Sequence, residues 1–293
     1  MKDSFFGKLQ LIDRRWIYVM LVIAVAIPFV WEQATHRNMD LPIYTFKDTM
    51  GIYNAVEEAP KDKIVLISAD WGFGSLGENG PQTLTVIQHL MKRGVRLMVW
   101  SPDPAIAGYI RTNAVLSYAK KYHRVEGVDF VDLGFKAIPN RMLFAQAVMD
   151  DIPGYFKKDV RGEDLATLPV MKGIHDFSDV WMVYTVGADP TYDGWVGIVE
   201  PKYHMKVGFG STGVMVPQSY PYLESGQLVG MLSGMRGGAE YEKLMNAPGD
   251  ALYGITRQSM AHLLVILFII LGNIGFYAAG GRKMHKGRLE SVK

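Results

Sequence analysis

The sequence predicts an α/β domain flanked by N- and C-terminal transmembrane helices. The domain is expected to hold a parallel sheet of about five strands in a Rossmann-like or flavodoxin-like order. Two observations carry this expectation. Short apolar runs alternate with amphipathic segments through the middle of the chain, and one long, uncharged apolar run lies near each end.

The first long run, residues 16–31 (WIYVMLVIAVAIPFVW), contains no charge. As a helix it reaches roughly 24 Å, slightly short of a ~30 Å hydrocarbon core. Trp16, Tyr18 and Trp31 suit the two interfaces. Pro28 is placed to kink the outer end. A cleaved signal peptide is the alternative, but the run is long for one and no small-x-small cleavage site follows it. The second span, 261–280, is apolar on every face, unlike most core helices. Lys2, Lys8, Arg14 and Arg15 precede the first span, and Arg282, Lys283, Lys286, Arg288 and Lys293 follow the second. The positive-inside bias therefore predicts a two-pass protein of the cell (inner) membrane with cytoplasmic tails at 1–15 and 281–293. It places the domain at 32–256 on the periplasmic or extracellular side. Gly272, Gly275 and Ala279 form a small-residue face on the second span that suits close helix packing, with Asn273 beside it.

Within the domain, strands are expected at 64–70 (IVLISAD), 96–100 (RLMVW), 128–134 (VDFVDLG), 180–188 (VWMVYTVGA) and 207–211. Helices are expected at 49–58, 82–93, 105–121 and 140–149, with a short one near 192–199. Pro81 suits the first turn of the 82–93 helix. Residues 153–179 read as a polar insertion. A balanced formal charge of +2 and the lack of a basic face interleaved with aromatics exclude nucleic acid as the expected partner. The chain has no cysteine, which excludes disulfides, thiolate zinc sites and cysteine nucleophiles.

Ligands of such sheets bind beyond the carboxyl ends of the strands. Asp70, Asp103 and Asp189 stand there and are weak catalytic candidates; the alternative is helix capping and turn formation. Lys136 follows a further strand. Two GxGxxG matches open at Gly72-Phe73-Gly74 and at Gly208-Phe209-Gly210, the second continuing into Ser211 and Thr212. Gly72, Gly74, Lys136, Ser211 and Thr212 are thus the ligand-binding candidates. The first match departs from the dinucleotide fingerprint. Glu78-Asn79-Gly80-Pro81 is expected to delay the helix, so that Gly77 lies outside it, and Asp103 lies too far along to be the ribose-binding acid. No cofactor is expected. The seven histidines, His175 of the insertion among them, show no metal-ligand spacing, and no metal site is predicted.

Gly226, Gly230, Gly234 and Gly238 recur every fourth residue and predict a glycine-striped helix over 223–235. Several glycines in one helix need a compensating close contact, either with the sheet or with another subunit.

The stretch 210–241, with Met171-Lys172-Gly173-Ile174 before it and the spans at both ends, resembles a group of prokaryotic two-span envelope proteins. That resemblance implies the architecture and no activity. The first functional expectation is a non-enzymatic accessory or scaffold subunit of an oligomeric membrane complex. Its partners would be the lipid bilayer and other subunits or copies of itself. The alternatives are an envelope sensor binding a small ligand or anion at the strand ends, and a metal-dependent hydrolase or transferase using the strand-end aspartates.

Overall fold

The computed structural model describes residues 13–35, 39, 42–138 and 140–278. Ala279, Gly280, the first-span flanks Lys2 and Lys8, and the basic residues from Arg282 onward lie outside the described residues.

Helix α1 (Arg14–Thr35) contains the first apolar run, with Pro28 inside it, and α11 (Asp250–Ala278) contains the second. Both are long and apolar enough to cross a membrane, and only 6 % of each apolar window is buried. The core helix of a soluble protein would be mostly covered. Near one end of the pair Arg257 bonds to Glu32 and lies over the Phe29 ring.

The compact unit Ile43–Leu252 holds a parallel sheet of six strands. In chain order these are β1 (Ile64–Asp70), β2 (Arg96–Ser101), β3 (Phe130–Phe135), β4 (Val180–Gly187), β5 (Lys206–Ser211) and β6 (Gly230–Ser233). Their order across the sheet is β3-β2-β1-β4-β5-β6. The first five match the expected strands to within two residues at each end. They were readable because both faces are covered, which demands nearly continuous apolar runs. Ile64 and Leu66 point into one half of the core, and Val65, Ile67 and Ala69 into the other.

One core half lies under α2 (Lys47–Glu57), α3 (Leu76–Arg93) and the helix after β2. That last helix runs from α4 (Pro104–Ile110) through a π turn into α5 (Leu116–Tyr122). The other half lies under α6 (Arg141–Val148), α7 (Ile152–Phe156), and the π turn Trp195–Val199 that leads into α8 (Glu200–Tyr203). Helix α9 (Val216–Glu224) packs its Val216, Tyr222 and Leu223 on the same half. The insertion crosses the sheet edge: the Val160 N–H donates to the Asp132 carbonyl of β3 at 2.9 Å and takes up one acceptor of the edge strand.

Two expectations are corrected. The glycine-striped helix does not exist. Helix α9 ends at Glu224, Gly226 turns the chain at φ +81°, and Gly230 opens the sixth strand. Gly234, at φ +58°, starts α10 (Gly234–Leu244), which also carries Gly238. Close backbone contact does occur, within the domain. A Cβ on Gly230 would sit 2.5 Å from the Asp48 carbonyl oxygen, and one on Gly51 would sit 2.0 Å from that of Val229. Helix α2 therefore rests directly on the backbone at β6. The second correction concerns α3, which starts at Leu76 rather than Gln82. Gly77 lies in its first turn and Pro81 well inside. Residues 79–83 are all buried, so tertiary packing overrides the proline's preference for a first turn.

Candidate functional site

The strand order reverses between β1 and β4, and Asp70 stands level with Gly187 across that pair. The loops that follow diverge and leave a cavity of about 710 Å³, of a size suited to a small molecule. Asp70, Trp71 and Gly72 line it from β1, Pro102 and Asp103 from β2, Asn140 and Arg141 from the start of α6, and Ala188, Asp189 and Asp193 from beyond β4.

Arg141 organises the acids. Its Nε donates to Asp70 Oδ2 at 2.5 Å, and its Nη2 donates to both oxygens of Asp189 at 3.1 Å. Burial works against the guanidinium charge, but the hydrogen bonds and charges of Asp70 and Asp189 outweigh it and raise its pKa. Asp103 caps α4, accepting the Ala105 and Ile106 N–H groups at 2.8 and 3.1 Å. For this residue the capping alternative describes the geometry. Ser101 Oγ donates to the Ala69 carbonyl at 2.6 Å and accepts the Asp103 N–H, tying the ends of β1 and β2 together. The carboxyl of Asp193 is pushed up by burial and by the Asp189 charge, against the pull of Arg141. Trp71 is fixed by its indole N–H, which donates to Thr83 Oγ1 at 3.1 Å.

The other candidates fall in different places. A Cβ on Gly72 or Gly74 would meet nothing within 4 Å, so neither glycine is demanded by packing within the chain. Lys136 lies apart from the cavity wall. Its Nζ donates to the Tyr155 carbonyl at 2.6 Å and sits 3.9 Å from the centre of the Tyr155 ring. Ser211 and Thr212 are buried beside α3 rather than facing the cavity. Gln82 Nε2 holds the Ser211 carbonyl at 2.9 Å and the Gly234 carbonyl at 2.7 Å. The Glu78 carboxylate accepts the Gly213 N–H at 2.8 Å. A protein carboxylate thus occupies the backbone donor that an anion would take in the second glycine loop.

Arg141, Asn140 and Asp193 were not foreseen. One signal was available for Arg141: a cation in the first turn of a helix opposes the helix dipole, so its presence there calls for a local partner. The arrangement leaves four carboxylates around one guanidinium, a surface that favours cations and hydroxyl donors and opposes anions. Compared with known proteins, the chain matches no family model, no curated protein and no solved structure.

Proposed function

We propose that this is a two-pass membrane protein whose Rossmann-like domain binds a small amine-bearing ligand in the strand-end crevice. The observation that carries the reading is the excess of carboxylates there: Asp70, Asp103, Asp189 and Asp193 line the crevice with a single Arg141. The 3-2-1-4-5-6 order supports the Rossmann-like assignment, since doubly wound sheets of that order bind ligands where it reverses. The basic residues flanking the spans support cytoplasmic termini and an extracytoplasmic domain. An anion ligand is disfavoured by the charge of the crevice, and a metal bridging Asp70 and Asp189 would have to displace the guanidinium already between them. The test is thermal unfolding of the full chain in mild detergent against polyamines, amino sugars and phosphorylated compounds. A rise in Tm with amines, lost in Asp189→Asn/Asp193→Asn, is expected; no rise with any amine, or a rise that persists in that variant, would overturn the reading.

A second reading, an accessory or scaffold subunit of an oligomeric membrane complex, is favoured by exposed apolar side chains on loops and helix starts beyond the strand ends. Phe73 is 53 % exposed, Leu143 62 % and Val214 84 %. It predicts that mild-detergent extracts retain a partner or further copies, and that Phe73→Ser/Val214→Ser releases them. A lone monomer in such extracts would exclude it.

A further inference from the structure

The insertion between β3 and β4 carries a second cavity, of about 770 Å³, that shares no lining residue with the strand-end crevice. Lys157, Lys158, Lys172 and His175 line it, all exposed. Two carboxylates share the wall, and each is engaged with backbone. Asp151 Oδ1 accepts the Gly154 N–H at 2.8 Å, and Asp164 Oδ1 accepts the Ala166 N–H at 3.0 Å. Among the described residues no carboxylate lies in ion-pair contact with any of the three lysines.

The backbone holds two of these lysines at corners. Lys172 and Gly173 are the central residues of a type II turn, closed by the Ile174 N–H on the Met171 carbonyl at 2.9 Å, with Gly173 at φ +75°. Lys157 has φ +64° and ψ −53°, and the Lys158 N–H donates to the Phe156 carbonyl at 2.7 Å. That is a γ-turn of the rare, strained form, on a residue with a long side chain. Glycine would adopt it without strain. Its backbone is pinned from both sides, by Lys157 N–H to the Pro153 carbonyl at 2.7 Å and by the Leu165 N–H to the Lys157 carbonyl at 2.9 Å. Strain of this kind on a non-glycine residue is characteristic of functional positions.

We propose that this cavity binds a multiply charged phosphate group, with Lys157, Lys158 and Lys172 as its counter-charges. Lysines act here as separate point charges rather than as a fork, which suits an anion with several charged oxygens. Lys136 has its pKa lowered first by burial and then by the Lys157 charge, so the field of that one lysine extends beyond the cavity. The phosphate comes either from a soluble phosphorylated compound or from a phospholipid headgroup, and the two sources are separable.

The experiment is lysine-acylation footprinting of the full chain, read by mass spectrometry. In detergent, pyrophosphate is compared with sodium chloride at equal ionic strength. In vesicles, phosphatidylcholine alone is compared with phosphatidylcholine containing phosphatidic acid, whose phosphomonoester headgroup carries more than one charge. Selective protection of Lys157, Lys158 and Lys172 over exposed Lys61 and Lys120 is expected. Protection by pyrophosphate identifies a soluble ligand, and protection confined to phosphatidic acid vesicles identifies a headgroup. Lys157→Gly relaxes the turn, so it should raise Tm while weakening protection of Lys158 and Lys172 about fivefold, the upper end of one exposed charge pair. Protection in neither comparison, equal protection of Lys61 and Lys120, or undiminished binding by Lys157→Gly would each overturn the proposal. None of these outcomes bears on the crevice, which these lysines do not touch.

Discussion

Replacing Glu242 by glutamine should abolish a loss of stability that the unmodified chain suffers as pH rises from 4.5 to about 7. Glu242 lies on α10 and is buried to 2 % exposure. Its carboxylate accepts the N–H groups of Gly249, Ala251 and Leu252 at 2.8 to 3.1 Å, at the start of α11. Those bonds favour the charged form, but burial outweighs them, and with the Asp250 charge it lifts the carboxyl from its ordinary 4.5 to about 7. Between these values the folded chain keeps a proton that the unfolded chain has released. The folded state then binds more protons, so stability falls with rising pH. The contribution is complete below pH 4.5 and gone above about pH 7. At ~1.36 kcal/mol per pH unit, the difference is on the order of 3 kcal/mol. Glutamine stays neutral throughout, and its poorer match to three N–H donors is a constant offset, so the slope is the readout. Thermal unfolding followed by tryptophan fluorescence should show the Glu242→Gln advantage growing between pH 4.5 and 7 and then levelling. Parallel curves for the two chains would refute the reasoning.

Three further outcomes follow from buried contacts. Gly230→Ala would drive a Cβ into the Asp48 carbonyl, backbone against backbone, and should cost about 3 kcal/mol in unfolding measurements, with Gly51→Ala equivalent. Arg111→Met leaves Asp132 (3 % exposed) and Glu126 without the guanidinium that bonds each at 2.8 Å, and should destabilise by about 3 kcal/mol at neutral pH. His89 is buried between Tyr241 OH at 2.9 Å and Glu57 at 2.8 Å, and burial lowers its pKa despite the Glu57 partner. Below its ordinary 6.5 the unfolded chain takes up more protons, so this residue removes stability as pH falls, opposite in sign to Glu242. His89→Gln should flatten the acid limb of the same fluorescence curve.

The glycine register shows why part of the fold was hidden from the sequence. A repeat of four residues lies near the helical period of 3.6, and it is also twice the strand period of 2. Gly226, Gly230, Gly234 and Gly238 therefore fit either reading, and the four-residue β6 between them is too short to show alternation. By contrast β1 to β5 run for six to eight residues each and are buried along most of their length. Pro81 misled for a related reason. Local preference places it at a helix start, whereas burial of 79–83 against the sheet and α10 decides where α3 begins.

The strand-end aspartates were visible because their positions follow from the strands alone. What they do depends on Arg141, whose approach from α6 no local pattern encodes. That side chain changes the chemistry of the crevice. Without it, Asp70 and Asp189 would be a pair of facing carboxylates of the kind that holds a divalent cation or divides acid and base roles. With it, both are committed to one guanidinium, and Asp103 is committed to the α4 cap. Asp193 is left in neither a salt bridge nor a cap among the described residues, and burial pushes its carboxyl up. It is therefore the acid best placed to gain from an incoming ammonium group, which would offset burial by supplying the missing counter-charge. In the proposed amine-binding reading, Asp193→Asn should weaken amine binding more than Asp103→Asn does, although both residues line the same wall.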